Sequence, residues 1–136
     1  MAFKYQILSH PADIKLQITA STKEELFQGA LAGMASIIQP QMPRKAPIAK
    51  ENIEVHSLDL DMLLVDFLNE ILTKSDIYNC VFDKIKIEKL TGDYLRGTIE
   101  GRKMKEFSEE IKAVTYHGLK IKENKGKWEV ILLFDV

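Results

Sequence analysis

Cysteine occurs once in the 136 residues, as Cys80. A lone cysteine permits no disulfide within the chain and no thiolate zinc cluster. Its setting, Tyr78-Asn79-Cys80-Val81-Phe82, reads as a small residue buried among apolar neighbours. Long apolar runs are also missing. No stretch approaches the roughly 20 residues that span a bilayer, and the first six residues lack the apolar centre of a signal peptide. A reducing, cytoplasmic setting without membrane contact is the expectation. A surplus of positive charge is absent too. The net charge is −1, which argues against tight, direct, non-specific binding of nucleic acid. Among catalytic motifs, the chain has no glycine-rich phosphate loop, no Gly-x-Ser-x-Gly elbow and no His-Glu-x-x-His helix. The three histidines, His10, His56 and His117, are too scattered to assert a zinc site.

What is present is ordinary soluble-protein material, 46% hydrophobic and 29% charged, with no repeat, low-complexity tract or linker. A single domain over residues 1–136 is expected. Strands are predicted at Phe3–Leu8, Ala12–Ala20, Ile53–Ser57, Val81–Leu90, Tyr94–Gly101, Ile111–Lys122 and Lys127–Phe134. Thr22-Lys23-Glu24-Glu25 has capping-box spacing. It opens a helix whose stripe is Leu26, Phe27, Ala30, Leu31, Met34, Ile37 and Ile38, and Pro40 ends that helix. A second helix follows Asp59, a plausible N-cap, with a core stripe through Leu60, Leu63, Leu64, Phe67, Leu68, Ile71 and Leu72. Its acids Asp61, Asp66 and Glu70 read as a solvated face. Pro40, Pro43 and Pro47 make residues 39–50 an exposed, stiff loop, and residues 102–110 form a charged connector. Two helices with one apolar stripe each must cover a sheet from one side. The economical fold is α+β, a two-layer sandwich of one mixed sheet of about six or seven strands with both helices on one face.

Three stretches carry candidate chemistry. His10-Pro11-Ala12-Asp13-Ile14 places His10 and Asp13 at a strand entrance, because Pro11 cannot donate to a ladder. Alone, His-x-x-Asp is more often a turn held by side-chain hydrogen bonds. Ile111-Lys112-Ala113-Val114-Thr115-Tyr116-His117 sets Lys112 among apolar neighbours, where a lysine is usually an edge or snorkelling residue. The last strand, Val130-Ile131-Leu132-Leu133-Phe134, is apolar enough to be central in its sheet, and it runs into Asp135 and Val136. If Val136 is the terminal residue, its carboxylate and that of Asp135 crowd two anions together, unfavourably unless a cation is near.

Together these stretches are distinctive. With Thr22-x-x-Glu25-Leu26-Phe27, Leu63-Leu64-x-x-Phe67-Leu68-Asn69-Glu70-Ile71-Leu72 and the final Leu133-Phe134-Asp135-Val136, they resemble the archease family, in family order and over nearly the whole chain. The resemblance implies a small α+β protein cofactor that activates an RtcB-type RNA ligase in tRNA splicing or RNA repair. It would promote the ligase's own guanylylation and repeated turnover, and would meet RNA only indirectly, through the ligase. It also implies a divalent cation, calcium, on Asp13, Asp135 and Val136, and a functional lysine at Lys112, with His10 and His117 as further partner-activating candidates. Pro11 stands where family members often have threonine, and the 102–110 connector lacks the Asp and His expected before the lysine strand. Asp13, Asp135 and an oxygen of Val136 are a hard, oxygen-only donor set of the kind calcium accepts. Two other classes remain beside this one: a metal-dependent hydrolase using His10, Asp13, His117 and Asp135, and a chaperone-like binding module.

Overall fold

In a computed structural model, which describes residues 2–9, 13–104 and 106–136, the alternating and helical patterns resolve into eight strands and two helices. His10, Pro11 and Ala12 of the first motif, and Lys105 of the connector, lie outside the described residues. In chain order the elements are β1 (Phe3–Ser9), β2 (Asp13–Ala20), α1 (Lys23–Ile38), β3 (Ile48–His56) and α2 (Leu60–Tyr78), then β4 (Cys80–Leu90), β5 (Tyr94–Lys103), β6 (Ala113–Val114), β7 (Lys122–Asn124) and β8 (Lys127–Asp135).

The class is α+β, but the strands divide into two sheets where one mixed sheet was expected. A five-stranded sheet has the order β1-β2-β8-β6, with β7 also on β8, and a three-stranded sheet has the order β3-β5-β4. Every pairing among the described residues is antiparallel. The division follows from the connections. Only two or three residues separate β1 from β2, β4 from β5 and β7 from β8, too few for a crossover, which favours antiparallel neighbours. Both helices pack on strands of both sheets, so each sheet keeps one face on the shared core and one face open. On β2 and β8 the buried residues are Leu16, Ile18, Ala20 and Val130, Leu132, Phe134, and the alternate positions look outward. Gly29 and Gly33 bring α1 against the larger sheet, because a β-carbon there would run into Ile18 and Leu16.

The helix starts are built as the spacing predicts. Thr22 accepts from the Glu25 N–H at 3.1 Å, and the Glu25 carboxylate turns back to the Thr22 hydroxyl and the Ala2 N–H. The Asp59 carboxylate accepts from the Met62 N–H at 2.9 Å. Removing that acceptor in Asp59→Ala is expected to cost about 1 kcal/mol, seen as a lower denaturant midpoint with an unchanged slope. Asn79 closes α2 in the left-handed region at φ 50°. Cys80 is fully buried; burial, with the Asp83 carboxylate second, pushes its thiol up to about 11.

Two boundaries moved. β3 begins at Ile48, inside the proline loop, because its early residues pair with β5 from Ile48–Arg102 onward. The Ile111–Lys122 run is not one strand. Only Ala113–Val114 pairs as β6, and the chain leaves the sheet until β7. Gly118, at φ 67°, turns the chain there, and side chains of α2 capture the polar groups freed.

Candidate functional site

β2 and β8 run antiparallel with Asp13 directly opposite Asp135. On the other edge of β8, Ala113 is opposite Asp135. One row across the sheet therefore joins the start of β2, the end of β8 and β6. Directly opposed residues share a face, with β-carbons roughly 4.5–5.5 Å apart. Asp13 falls in phase with Lys15 and Gln17, and Asp135 with Leu133 and the half-exposed Ile131, so both acids look toward the open face. Asp13 is half-buried and Asp135 exposed. Phe134, fully buried one position before Asp135 and opposite Ile14, holds the strand end down.

Lys112 joins this corner through its backbone. Its N–H donates to the Asp135 carbonyl at 2.7 Å, and the Thr115 N–H donates to the Leu133 carbonyl at 3.0 Å. The lysine side chain is exposed. Val136 follows directly and packs partly against the core. His117 does not join. It is exposed on the turn with Gly118, after the chain has left β8. Among the described residues no group of three or more His, Cys, Asp or Glu side chains converges, so His117 forms no metal-binding set with Asp13 and Asp135. A cavity of about 390 Å³ opens farther along the same face, over Gln17, Lys120, Lys122 and Ile131; none of Asp13, Lys112 and Asp135 lines it.

Three polar residues of α2, Asp61, Asp66 and Asn69, turn out to be structural. Asp61 and Asp66, expected to be solvated, hold the segment after Lys112. Asp61 accepts from the Ile121 N–H at 2.9 Å, and Asp66 accepts from the hydroxyls of Tyr116 and Ser57. The bond to Asp66 raises the Tyr116 hydroxyl above its ordinary pKa, burial adding to it. Glu70 does face solvent, pairing with Lys74 at 3.7 Å one helical turn on. Asn69, quoted in the family motif but given no role there, clamps β6. Its Nδ2 donates to the Val114 carbonyl at 3.0 Å and its Oδ1 accepts from the Val114 N–H at 2.9 Å. A two-residue strand needs such a clamp, since its own ladder is too short to hold it. The available signal was an asparagine, a poor helix former, between Leu68 and Ile71 of the buried stripe. Asn69→Ala strips both partners from a part-buried peptide and is expected to cost about 1–3 kcal/mol. Amide exchange at Val114 is the readout, and it should accelerate more than exchange in β2.

Known proteins match this chain along nearly its full length. Residues 5–136 match the model of the Archease protein family (MTH1598/TM1083). Protein archease of Pyrococcus furiosus is 36% identical over 143 residues, covering 98% of this chain and 99% of its own. That of Methanosarcina mazei is 33% identical over 141 residues, covering 98% and 96%. The solution structure of Methanobacterium thermoautotrophicum protein 1598 superimposes with a TM-score of 0.76 at 28% identity, covering 97% of this chain and 98% of that one. A crystal structure of a Thermotoga maritima archease, described as a possible chaperone, has a TM-score of 0.66 at 22% identity, covering 96% of each chain, and attests to the fold. Two antiparallel sheets sharing a helical core, matched end to end in sequence, make the chain a member of the archease family.

Proposed function

We propose that the protein is a non-catalytic activator of an RtcB-type RNA ligase, promoting the ligase's guanylylation and turnover in tRNA splicing or RNA repair. The observation that carries this reading is the single row joining Asp13, Asp135 and the Lys112 backbone. These residues are distant in sequence, and the strand register brings the two acids directly opposite one another. Like charges so placed repel.

A divalent cation fits the donor set. Asp13, Asp135 and a main-chain oxygen of Val136 would hold it, all hard oxygens of the kind calcium prefers. They are too few for its usual roughly six to eight oxygens, so water or a partner's groups would complete the shell. A bound cation would supply positive charge to a phosphate or carboxylate of the partner. The chain's own part is to present the acids on an open face at a rigid strand end, and to hold Lys112 beside them. The compact lysine ammonium then meets either the acids or an incoming phosphate. Among the described residues Asp13, Asp135 and His117 form no convergent group.

The experiment adds purified protein to an RtcB-type ligase with GTP and a divalent metal, and follows covalent guanylylation of the ligase. Faster guanylylation and more than one ligation per ligase are expected. A guanylylation time course identical with and without the protein would refute the proposal.

A further inference from the structure

The three-stranded sheet has its own open face, remote in sequence from Asp13 and Asp135. On β5 the buried positions are Leu95, Gly97, Ile99 and Gly101, so Tyr94, Arg96, Thr98, Glu100 and Arg102 look away from the helices. β4 meets this strand through two bulges, between Phe82 and Lys84 and between Ile87 and Lys89. Gly101 and Gly97 make the close approach possible, since a β-carbon would lie 1.9 Å from the Val81 carbonyl oxygen and 2.4 Å from that of Lys86. The bulges drop two acids, Asp83 and Glu88, out of register. They bring Lys84, Lys86 and Lys89 opposite Glu100, Thr98 and Arg96. All three lysines therefore face outward; without the second bulge, alternation would turn Lys89 inward.

The acids on this face are engaged. Glu100 pairs with Lys50 at 3.6 Å, and Glu88 pairs with Arg96 at 3.3 Å. Glu54 accepts from the Tyr94 hydroxyl at 2.7 Å, and Asp93, at the hairpin turn, accepts from the Thr91 hydroxyl at 3.0 Å. Lys84 and Lys86 form no ion pair among the described residues. Shallow cavities of about 290, 430 and 480 Å³ follow one another along β5 from Glu100 through Arg96 to Tyr94. The trough is roughly 20 Å long at the usual strand rise. It ends in an aromatic pair. The His56 and Tyr94 rings lie 4.5 Å apart at 41°, and the Lys89 ammonium sits 5.7 Å from the Tyr94 centroid. The His56 side chain is 72% exposed.

We propose that this face binds a short single-stranded nucleic acid, its phosphates along Lys84, Lys86 and Lys89 and a base against the His56 ring. Lysines in line supply charge complementary to a phosphate backbone, and an exposed ring over an open sheet supplies a stacking platform. Asn52 and Thr98, opposite one another mid-trough, add hydrogen-bonding groups. The overall charge of −1 makes the contact local and modest in strength. It would give the protein a direct hold on nucleic acid, beyond the indirect one that the family resemblance implies.

Anisotropy of labelled oligouridine and oligothymidine with the full-length protein at low salt tests this. Saturable binding is expected, with log affinity falling against log salt at a slope of about −2, for three neutralised phosphates on a single strand. His56→Ala should weaken binding about fivefold or more, the triple variant Lys84→Gln/Lys86→Gln/Lys89→Gln about tenfold or more, and Asp13→Asn not at all. That last variant separates this face from the proposed cation site. The rival explanation is that lysines and bulges on β4 guard a sheet edge against pairing with other chains. A triple variant that self-associates while His56→Ala binds as the wild type does would establish edge protection and overturn the proposal. So would absence of binding at low salt, or an equal, lysine-dependent affinity for a polyglutamate peptide, which would make the face a docking site for an acidic protein.

Discussion

Lys112→Ala should reduce the guanylylation of an RtcB-type ligase to the rate of the ligase alone, while the variant melts with the wild type. The separation of fold from function follows from how the segment is held. The Lys112 N–H bonds the Asp135 carbonyl through the backbone, which alanine preserves. The next residues are fixed by pairing with β8 and by the Asn69 clamp on Val114. Lys112 itself is exposed, so truncation leaves no cavity and is expected to shift stability by less than about 0.5 kcal/mol. What is lost is a compact, exposed ammonium on a residue whose backbone is bonded to Asp135. Lys112→Arg should restore activation incompletely, because a planar guanidinium does not fill the role of a point charge. Guanylylation rates and melting temperatures measured on the same preparations decide it. Unchanged rates in the alanine variant would remove Lys112 from the proposed mechanism.

Much of this corner was readable in the sequence because its cues are local. Pro11 before an alternating run marks a strand entrance, and an apolar run ending in Asp135 marks a central strand's exit. β8 is indeed central, flanked by β2 on one edge and by β6 and β7 on the other. The turn between β7 and β8 has an equally local cue. Lys125 and Gly126 both adopt positive φ, as a two-residue hairpin between paired Asn124 and Lys127 requires. What was not readable is set by long-range partners. Alternation through residues 111–122 satisfies a strand template, but whether such a run stays in the sheet depends on what competes for its backbone. Here Asp61 and Asn69, more than 40 positions earlier, take its amides. Asp61 and Asp66 were read as solvated because helical periodicity separates apolar from polar faces and does not reveal a polar face covered by a loop. The division into two sheets was hidden for a related reason. Each strand's pattern identifies a buried face, not which sheet that face belongs to.

Asp13 and Asp135 are expected to act as one cation site, and the sign of their effect on stability should depend on calcium. In metal-free buffer two carboxylates directly opposed across β2 and β8 repel. Asp135→Asn should therefore leave the protein as stable as the wild type, or more stable by a few tenths of a kcal/mol. With calcium the order reverses. A ligand that binds only the folded state, at about a hundred times its dissociation constant, adds roughly 2.7 kcal/mol, or a rise of roughly 10 °C in melting temperature for a domain of this size. Each single variant should lose most of that rise, because removing one charged oxygen donor from so small a set leaves a site too weak to fill. The double variant should lose no more than either single, since the second substitution acts on a site already lost. The measurement is the calcium-induced shift in melting temperature for all four proteins, with chelator controls. Additive losses would mean two independent sites. Single variants that respond to calcium as fully as the wild type would mean that the opposed acids serve some purpose other than holding the ion.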